Sequence, residues 1–387
     1  MEIWWHETKM RILLINYEFP PLGGGAGNAT QNIARQLALL GHKVLVFTTW
    51  FSGCLLDETI DGYRVVRVKS KRLHVDRSNI FEMFHFAWRA IIEGRSIVKE
   101  FNPDITISFF AIPSGFVAWY FKKKFGTPYI VSLRGGDVPG FLPENLKWHH
   151  IFSTPLTSLV WKNAKYIVAN SEGLRILADK TASHYGKEVK MILNGVNKEV
   201  FKPLLRKAQN NTTRILFVGR LTEQKGVTYI IDAVNEILKT RSAIKGNILC
   251  DIIGDGPLRK TLEEKVEGLG LSDTIVFRGW VTREKLPSFY QNADVFILPS
   301  SDEGMANVVL EAMASGLPVI TTFVPGSEEL VVAGENGMLV KDRTNLAPAI
   351  LDFLDNRDKW QKMGRSSLER SKKFDWATVA GEYANLI

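Results

Sequence analysis

Short apolar runs alternate with amphipathic stretches along nearly the whole chain. Met10–Asn16 and Val44–Thr49 are apolar and rich in branched residues, and read as buried strands. Between them, Asn28–Leu40 sets Ile33, Leu37 and Leu40 on one helical face and stops at Gly41. Tyr63–Val68, Pro103–Phe109, Pro128–Leu133 and Tyr166–Ala169 repeat the strand pattern, with helical stretches between. The longest amphipathic segment, Ile80–Phe101, carries Phe84, Trp88, Ile91 and Val98 at helical spacing, and core packing is the first explanation of that face. The alternation breaks at Asn194-Gly195-Val196-Asn197 and in the polar stretch Lys202–Thr213. It then restarts with strands at Arg214–Val218, Ile248–Ile253, Thr274–Phe277, Asp294–Leu298 and Pro318–Thr321. Helices are predicted at Val227–Lys239, Pro257–Leu269, Arg283–Gln291 and Met305–Ala314. Repeated βα units predict an α/β chain with two consecutive Rossmann-like sheets facing a cleft. The expected division is an extension at 1–9, a first domain at 10–195, a second at 196–370, and a final helix at 371–387 that returns to the first domain.

The densest chemistry lies in Ser300–Thr322, SSDEGMANVVLEAMASGLPVITT. A strand ends at Pro299, Ser300, Ser301 and Asp302 offer capping oxygens, and Gly304 permits a tight turn into a helix. Glu303 then stands at a helix N-terminus, with Glu311 about two turns further on. The backbone N–H groups of Gly304, Met305 and Ala306 would suit an anion. Phosphates between two carboxylates, each beside hydroxyls, describe a nucleotide-sugar. The plainer reading makes Glu303 a first-turn helix acid and Glu311 a solvated surface residue.

Three further loops follow predicted strands. Phe19–Asn28 is glycine-rich, with Gly24 and Gly25 at its centre, but does not match the dinucleotide pattern GxGxxG. Gly219–Gly226 sets Arg220 and Lys225 around a turn that opens a helix, without the GxxxxGK[ST] of a P-loop. Two cations there could disperse the charge of a departing diphosphate. Leu133–Gly140 holds Arg134 and Asp137 in a polar exit from an apolar strand, where they either wall a reaction centre or pair with each other. Ile253–Pro257 reads as a structural turn.

Composition narrows the classes. The chain has 387 residues, two cysteines and a formal net charge of +8. Two distant cysteines exclude a disulfide framework or thiolate zinc site and fit a reducing compartment. Neither HExxH nor Asp-x-Asp occurs, so no metal site is expected. Lys69-Ser70-Lys71-Arg72 and Lys122-Lys123-Lys124 favour an anionic partner, either a membrane surface or a phosphorylated substrate. No nucleic-acid-reading motif accompanies them. Met1–Lys9 reads as an upstream-start extension, with Met10 as the functional first residue.

Taken together, Glu303-Gly304-Met305…Leu310-Glu311-Ala312…Gly316-Leu317-Pro318-Val319, Gly219-Arg220-Leu221…Lys225-Gly226 and Asn194-Gly195-Val196…Phe201-x-Pro203 resemble glycosyltransferase family 4. These are the retaining nucleotide-sugar transferases of GT-B fold, the group-1 enzymes of polysaccharide and glycolipid synthesis. The resemblance covers nearly everything from Met10. It implies a second domain that binds the nucleotide diphosphate, with Glu311 on ribose and Arg220 and Lys225 on the phosphates. Glu303 and the backbone of Gly304, Met305, Ala306 and Asn307 would lie near the sugar and diphosphate. The first domain would bind a glycan or lipid-linked acceptor, with the loop around Gly24 and Gly25 closing over the donor and Arg134 and Asp137 near the acceptor. In this family transfer usually needs no metal, no cofactor is expected, and UDP- or GDP-linked donors are the first expectation. Many relatives have a histidine where this chain has Arg134, which suggests an anionic sugar or acceptor. The expected setting is the cytoplasm, at the inner face of the membrane. Two alternatives are a soluble disaccharide or glucan synthase and a non-catalytic nucleotide-binding subunit.

Overall fold

The computed structural model describes residues 9–74, 78–141, 147–204, 212–244 and 246–387. The expected extension lies outside these residues except for Lys9, as does most of the polar stretch Lys202–Thr213. The chain forms two compact units, Met1–Asn194 with Trp376–Ile387, and Gly195–Asp375.

In the first unit an eight-stranded sheet has the order β3-β4-β2-β1-β5-β6-β7-β8. Its strands are β1 (Arg11–Ile15), β2 (Lys43–Thr49), β3 (Asp57–Ile60), β4 (Tyr63–Val68), β5 (Ile105–Phe109), β6 (Tyr129–Ser132), β7 (Tyr166–Ala169) and β8 (Val189–Met191). All pairs are parallel except β3 with β4. Both faces of β1 are covered: Leu13 and Ile15 enter one apolar cluster, Ile12 and Leu14 the other. Each such fully buried side chain contributes about 1.5–3 kcal/mol, which is why central strands of this kind read as unbroken apolar runs. Trp376, Val379, Ala380 and Tyr383 of the last helix, Trp376–Asn385, join the second cluster beside Ala29, Ile33 and Leu37 of the helix Gly25–Leu39.

The second unit carries a six-stranded sheet in the order β11-β10-β9-β12-β13-β14, parallel throughout. Its strands are β9 (Thr213–Val218), β10 (Ile248–Ile253), β11 (Ile275–Gly279), β12 (Val295–Leu298), β13 (Val319–Thr322) and β14 (Gly337–Val340). The chain enters and leaves this unit side by side, with Val196 N–H donating to Phe374 O at 3.0 Å and Lys198 Nζ 2.6 Å from Asp375 Oδ2.

Four expectations are corrected. The strands β3, β8 and β14 were not anticipated: all three are sheet edges of three or four residues, and β14 is glycine-led. The helix after the glycine-rich loop begins at Gly25, three residues earlier than Asn28. The helix after Pro299 begins at Asn307 behind an uncapped Ala306, so Ser300, Ser301 and Asp302 belong to a loop and cap nothing.

The fourth concerns Ile80–Phe101, which forms the expected helix but packs with a face that keeps Ile91 and Val98 of the expected four and leaves out Phe84 and Trp88. Asn79 and Glu82 close a reciprocal capping box at its start. Inward it turns Phe86 and Val98 with the small residues Ala87, Ala90 and Gly94, while Phe84 and Trp88 are exposed. A Cβ at Gly94 would sit 2.7 Å from Phe121 Cζ and 3.0 Å from Phe47 Cε1. Rings from beneath fill the space at Gly94, so the helix approaches there with a small residue, while Phe84 and Trp88 point out.

Candidate active site

The site in the second unit starts from two strand ends. Where β9 stops, Gly219–Gly226 turns into the helix Val227–Thr240, and where β12 stops, Pro299–Ala306 leads to the helix Asn307–Ala314. Gly226 draws them together. It adopts φ +69, and a Cβ there would lie 2.3 Å from Pro299 O, so only glycine allows this approach. Ser301 N–H donates to Gln224 O at 2.8 Å, and Gln224 Nε2 donates to Asp302 O at 2.8 Å. Across this backbone clamp Lys225 Nζ meets Glu303 Oε1 at 2.5 Å, with side chains 16% and 12% exposed.

A third loop closes the far side, where Gly326 packs against Gly304 O. A small concavity there is lined by Glu303, Ala306, Thr321, Gly326 and Ser327, among others. Gly304, Met305 and Ala306 are buried in the loop before the helix, and Asn307 is its first residue. Their amides therefore lie ahead of the helix N-terminus and not within its first turn. Arg220 is exposed at the mouth of the same turn.

Glu311 is not a solvated surface residue. It is 7% exposed, and Tyr290, itself fully buried, donates its hydroxyl to Glu311 Oε2 at 2.9 Å. Burial pushes the Glu311 carboxyl up to about 7, opposed by the nearby Arg283 and by the Tyr290 hydrogen bond. Tyr290 also packs edge-on against Phe201, at 5.6 Å between centroids. Sequence reasoning passed over Tyr290, because an aromatic residue inside a predicted helix carries no sign of a partner 21 positions away.

The first unit holds the remaining candidates. Gly24 is the residue before the helix and Gly25 its first, both exposed. Arg134 and Asp137 follow β6, but their side chains do not pair with each other. Asp137 accepts from the backbone N–H of Arg134 at 2.9 Å and of Ala111 at 2.8 Å. Arg134 Nη1 donates to Asn194 Oδ1 at 2.7 Å, and its guanidinium lies 4.8 Å from the centroid of the Phe109 ring. Burial lowers the Arg134 pKa and raises that of Asp137. Just before them, Ser132 Oγ and Tyr383 Oη lie 2.6 Å apart, so the last helix braces this loop. Arg134 and Asp137 thus share a loop, and Gly24 and Gly25 lie at the end of another loop of the same unit.

A cation paired to a carboxylate, loop amides and a second, buried carboxylate at parallel-strand carboxyl ends are equipped to hold an anion beside hydroxyls. The profile described as Glycosyltransferase Family 4 matches residues 23–200, and that described as Glycosyl transferases group 1 matches residues 200–370. The chain belongs to this glycosyltransferase family. An uncharacterized glycosyltransferase of Methanocaldococcus jannaschii is 28% identical to it over 374 residues, covering 95% of each chain. Among solved structures, sucrose-phosphate synthase from Thermosynechococcus elongatus superposes with a TM-score of 0.85 at 22% identity, covering 97% of each chain. Anabaena HepE in complex with UDP and glucose gives 0.74 at 18% identity, covering 97% of this chain and 98% of that one. The two Rossmann-like units of this glycosyltransferase are those of the GT-B fold.

Proposed function

We propose that this glycosyltransferase moves a hexosyl group from a nucleotide-diphosphate sugar, UDP- or GDP-linked, to a lipid-linked or saccharide acceptor. The product would belong to a surface polysaccharide or glycolipid made at the cytoplasmic face of an anionic membrane. The observation that carries the donor assignment is the clamp of Gly226 on Pro299, with the Lys225–Glu303 pair across it. It fixes a cation, a carboxylate and the Gly304–Ala306 amides in one place. UDP bound to HepE, a protein of the same fold, supports the choice of donor class.

In this reading the diphosphate sits against Arg220, Lys225 and the amides of Gly304, Met305, Ala306 and Asn307. Glu311 accepts from the ribose diol and Glu303 from the sugar. Within the first unit, Gly24 and Gly25 leave the backbone open to substrate, and Arg134 and Asp137 wall the acceptor side. The glycosidic bond to the phosphate oxygen breaks with its electron pair leaving on the diphosphate. The acceptor hydroxyl attacks the same face through an oxocarbenium-like state, so configuration is retained. Its proton passes to the departing phosphate oxygen. Charge on the leaving group is neutralised by Arg220 and Lys225, each worth on the order of 3–4 kcal/mol when well placed, with no metal required.

The test is thermal stabilisation against UDP-, GDP-, ADP- and CMP-sugars, with and without EDTA. A ligand at 100 times its Kd raises stability by about 2.7 kcal/mol. One hit that survives EDTA supports the donor class and metal-free binding, and NMR of the product anomer then tests retention. No shift with any nucleotide would overturn the donor assignment.

A further inference from the structure

The helix Ile80–Phe101 carries large apolar side chains on its outer face as well as on its inner one. Its packing face includes Ala87, Ala90 and Gly94, whereas Phe81 is 81% exposed and Phe84 and Trp88 are each 56% exposed. Ile80 and Ile92 are exposed beside them. Leu73, 74% exposed, is fixed to the start of the helix by its N–H, which donates to Glu82 Oε1 at 2.9 Å. Large apolar side chains scattered singly over a surface are ordinary, but a continuous row of them needs a partner.

The charges say which partner. Phe81, Phe84, Trp88 and Ile92 recur at helical steps of three or four, and the next two members of the row are Arg95 and Lys99, both exposed. The neighbouring helix Phe116–Phe125, against which Arg95 lies 5.4 Å from the Tyr120 ring centroid, ends in exposed Lys123 and Lys124. At the other end Lys69 and Lys71 are exposed. The acids of the helix are all engaged: Glu82 in the capping box, Glu93 with Arg89, and Glu100 with Arg64. The apolar row is therefore bracketed by cations at both ends. A second copy would bring the same positive brackets against it. An anionic bilayer offers apolar depth and negative headgroups together.

We propose that this face is the docking surface for an anionic bilayer, with the helix lying in the plane of the interface. Phe81, Phe84, Trp88 and Ile92 enter the headgroup–acyl boundary, while Lys69, Lys71, Arg95, Lys99, Lys123 and Lys124 lie over lipid phosphates. Among the described residues no helix is long and apolar enough to cross a membrane, so the contact is peripheral. The inference deepens the membrane part of the reading above and does not depend on the donor assignment.

The experiment is flotation of the full chain with vesicles of phosphatidylcholine alone and of phosphatidylcholine with about a third phosphatidylglycerol. Wild type is compared with Phe81→Ser/Phe84→Ser/Trp88→Ser and with Arg95→Glu/Lys99→Glu. Wild type is expected to float with the anionic vesicles and to release as salt rises. Each variant is expected to lose binding about tenfold or more, with an unchanged Tm and an unchanged nucleotide-induced melting shift. Failure of the donor reading would appear separately, as absence of that shift in a protein that still floats. Wild-type partitioning by the serine variant overturns the proposal, as does a wild type that ignores every vesicle. A wild-type dimer that the serine variant breaks, without vesicle binding, also overturns it and assigns the face to a second copy.

Discussion

Lys225 and Glu303 stand 78 residues apart in sequence, yet Nζ and Oε1 meet at 2.5 Å in the second unit, both side chains largely withdrawn from water. A pair held this way is a preformed cation and anion whose partners a ligand can exchange. A phosphate arriving at Lys225 relieves Glu303 to accept from a hydroxyl, so the two proposed roles become compatible in one binding event.

Replacing Lys225 by alanine should lower turnover about 10²-fold or more while the protein still folds. It also leaves Glu303 half-buried without its cation, so Tm should fall. The Lys225→Ala/Glu303→Gln double variant should recover part of that loss without recovering activity. Steady-state kinetics beside a melting curve separate the two effects, and an active Lys225→Ala enzyme contradicts the assignment.

The Glu311 carboxyl, ordinarily near 4.5, is pushed up to about 7 by burial. Below pH 4.5 it is protonated in both the folded and the unfolded chain and costs nothing. Between the two values the unfolded chain ionises first, so this group's contribution to stability declines as pH rises and levels off above 7, a span of about 3 kcal/mol. Glu311→Gln should therefore gain on wild type as pH rises through that window in urea titrations. Donor affinity should move the other way, tightening in wild type as the carboxylate forms. Tyr290→Phe should push the carboxyl higher still and raise the donor KM.

Gly226→Ala asks a methyl to occupy space already filled by Pro299 O, at φ +69. A stability loss of about 2 kcal/mol or more is expected, with activity falling further because the Lys225–Glu303 pair depends on the same approach. Full activity in that variant would disprove the clamp.

Arg134→Ala should change turnover or acceptor KM by about tenfold if the guanidinium beside Phe109 reads an anionic group on the acceptor or the sugar. Arg134→Lys should rescue only part, since an ammonium loses the planar face that lies on the ring. Kinetics with varied acceptor decide it, and unchanged constants in the alanine variant would sink the role.

Central strands such as Ile12–Ile15 and Val295–Leu298 were legible because both faces are covered and every position is apolar. The loops at their ends were legible because glycine, charge and a following helix fall together. Depth was not: Glu311 sits on a helix whose partner, Tyr290, comes from another helix, and nothing local reports that distance. The face of Ile80–Phe101 was legible only in part, at Ile91 and Val98, for a related reason. Apolar residues occur on both of its sides, and the deciding fact is how far the rings of Phe47 and Phe121 protrude from elsewhere. Helix starts slipped where no side chain caps them, as at Gly24 and Ala306.

The last helix gives the first unit an obligatory order of assembly. Trp376, Val379, Ala380 and Tyr383 complete an apolar cluster whose other members lie before Val196. During synthesis those members emerge early and wait while the whole of Gly195–Asp375 is made. The second unit can close as soon as its own residues are out, whereas the earlier-made unit finishes later. For that interval its sheet carries an uncovered strip beside Ile33 and Leu37, and a nascent chain stalled near Asp375 would be the form most in need of a chaperone.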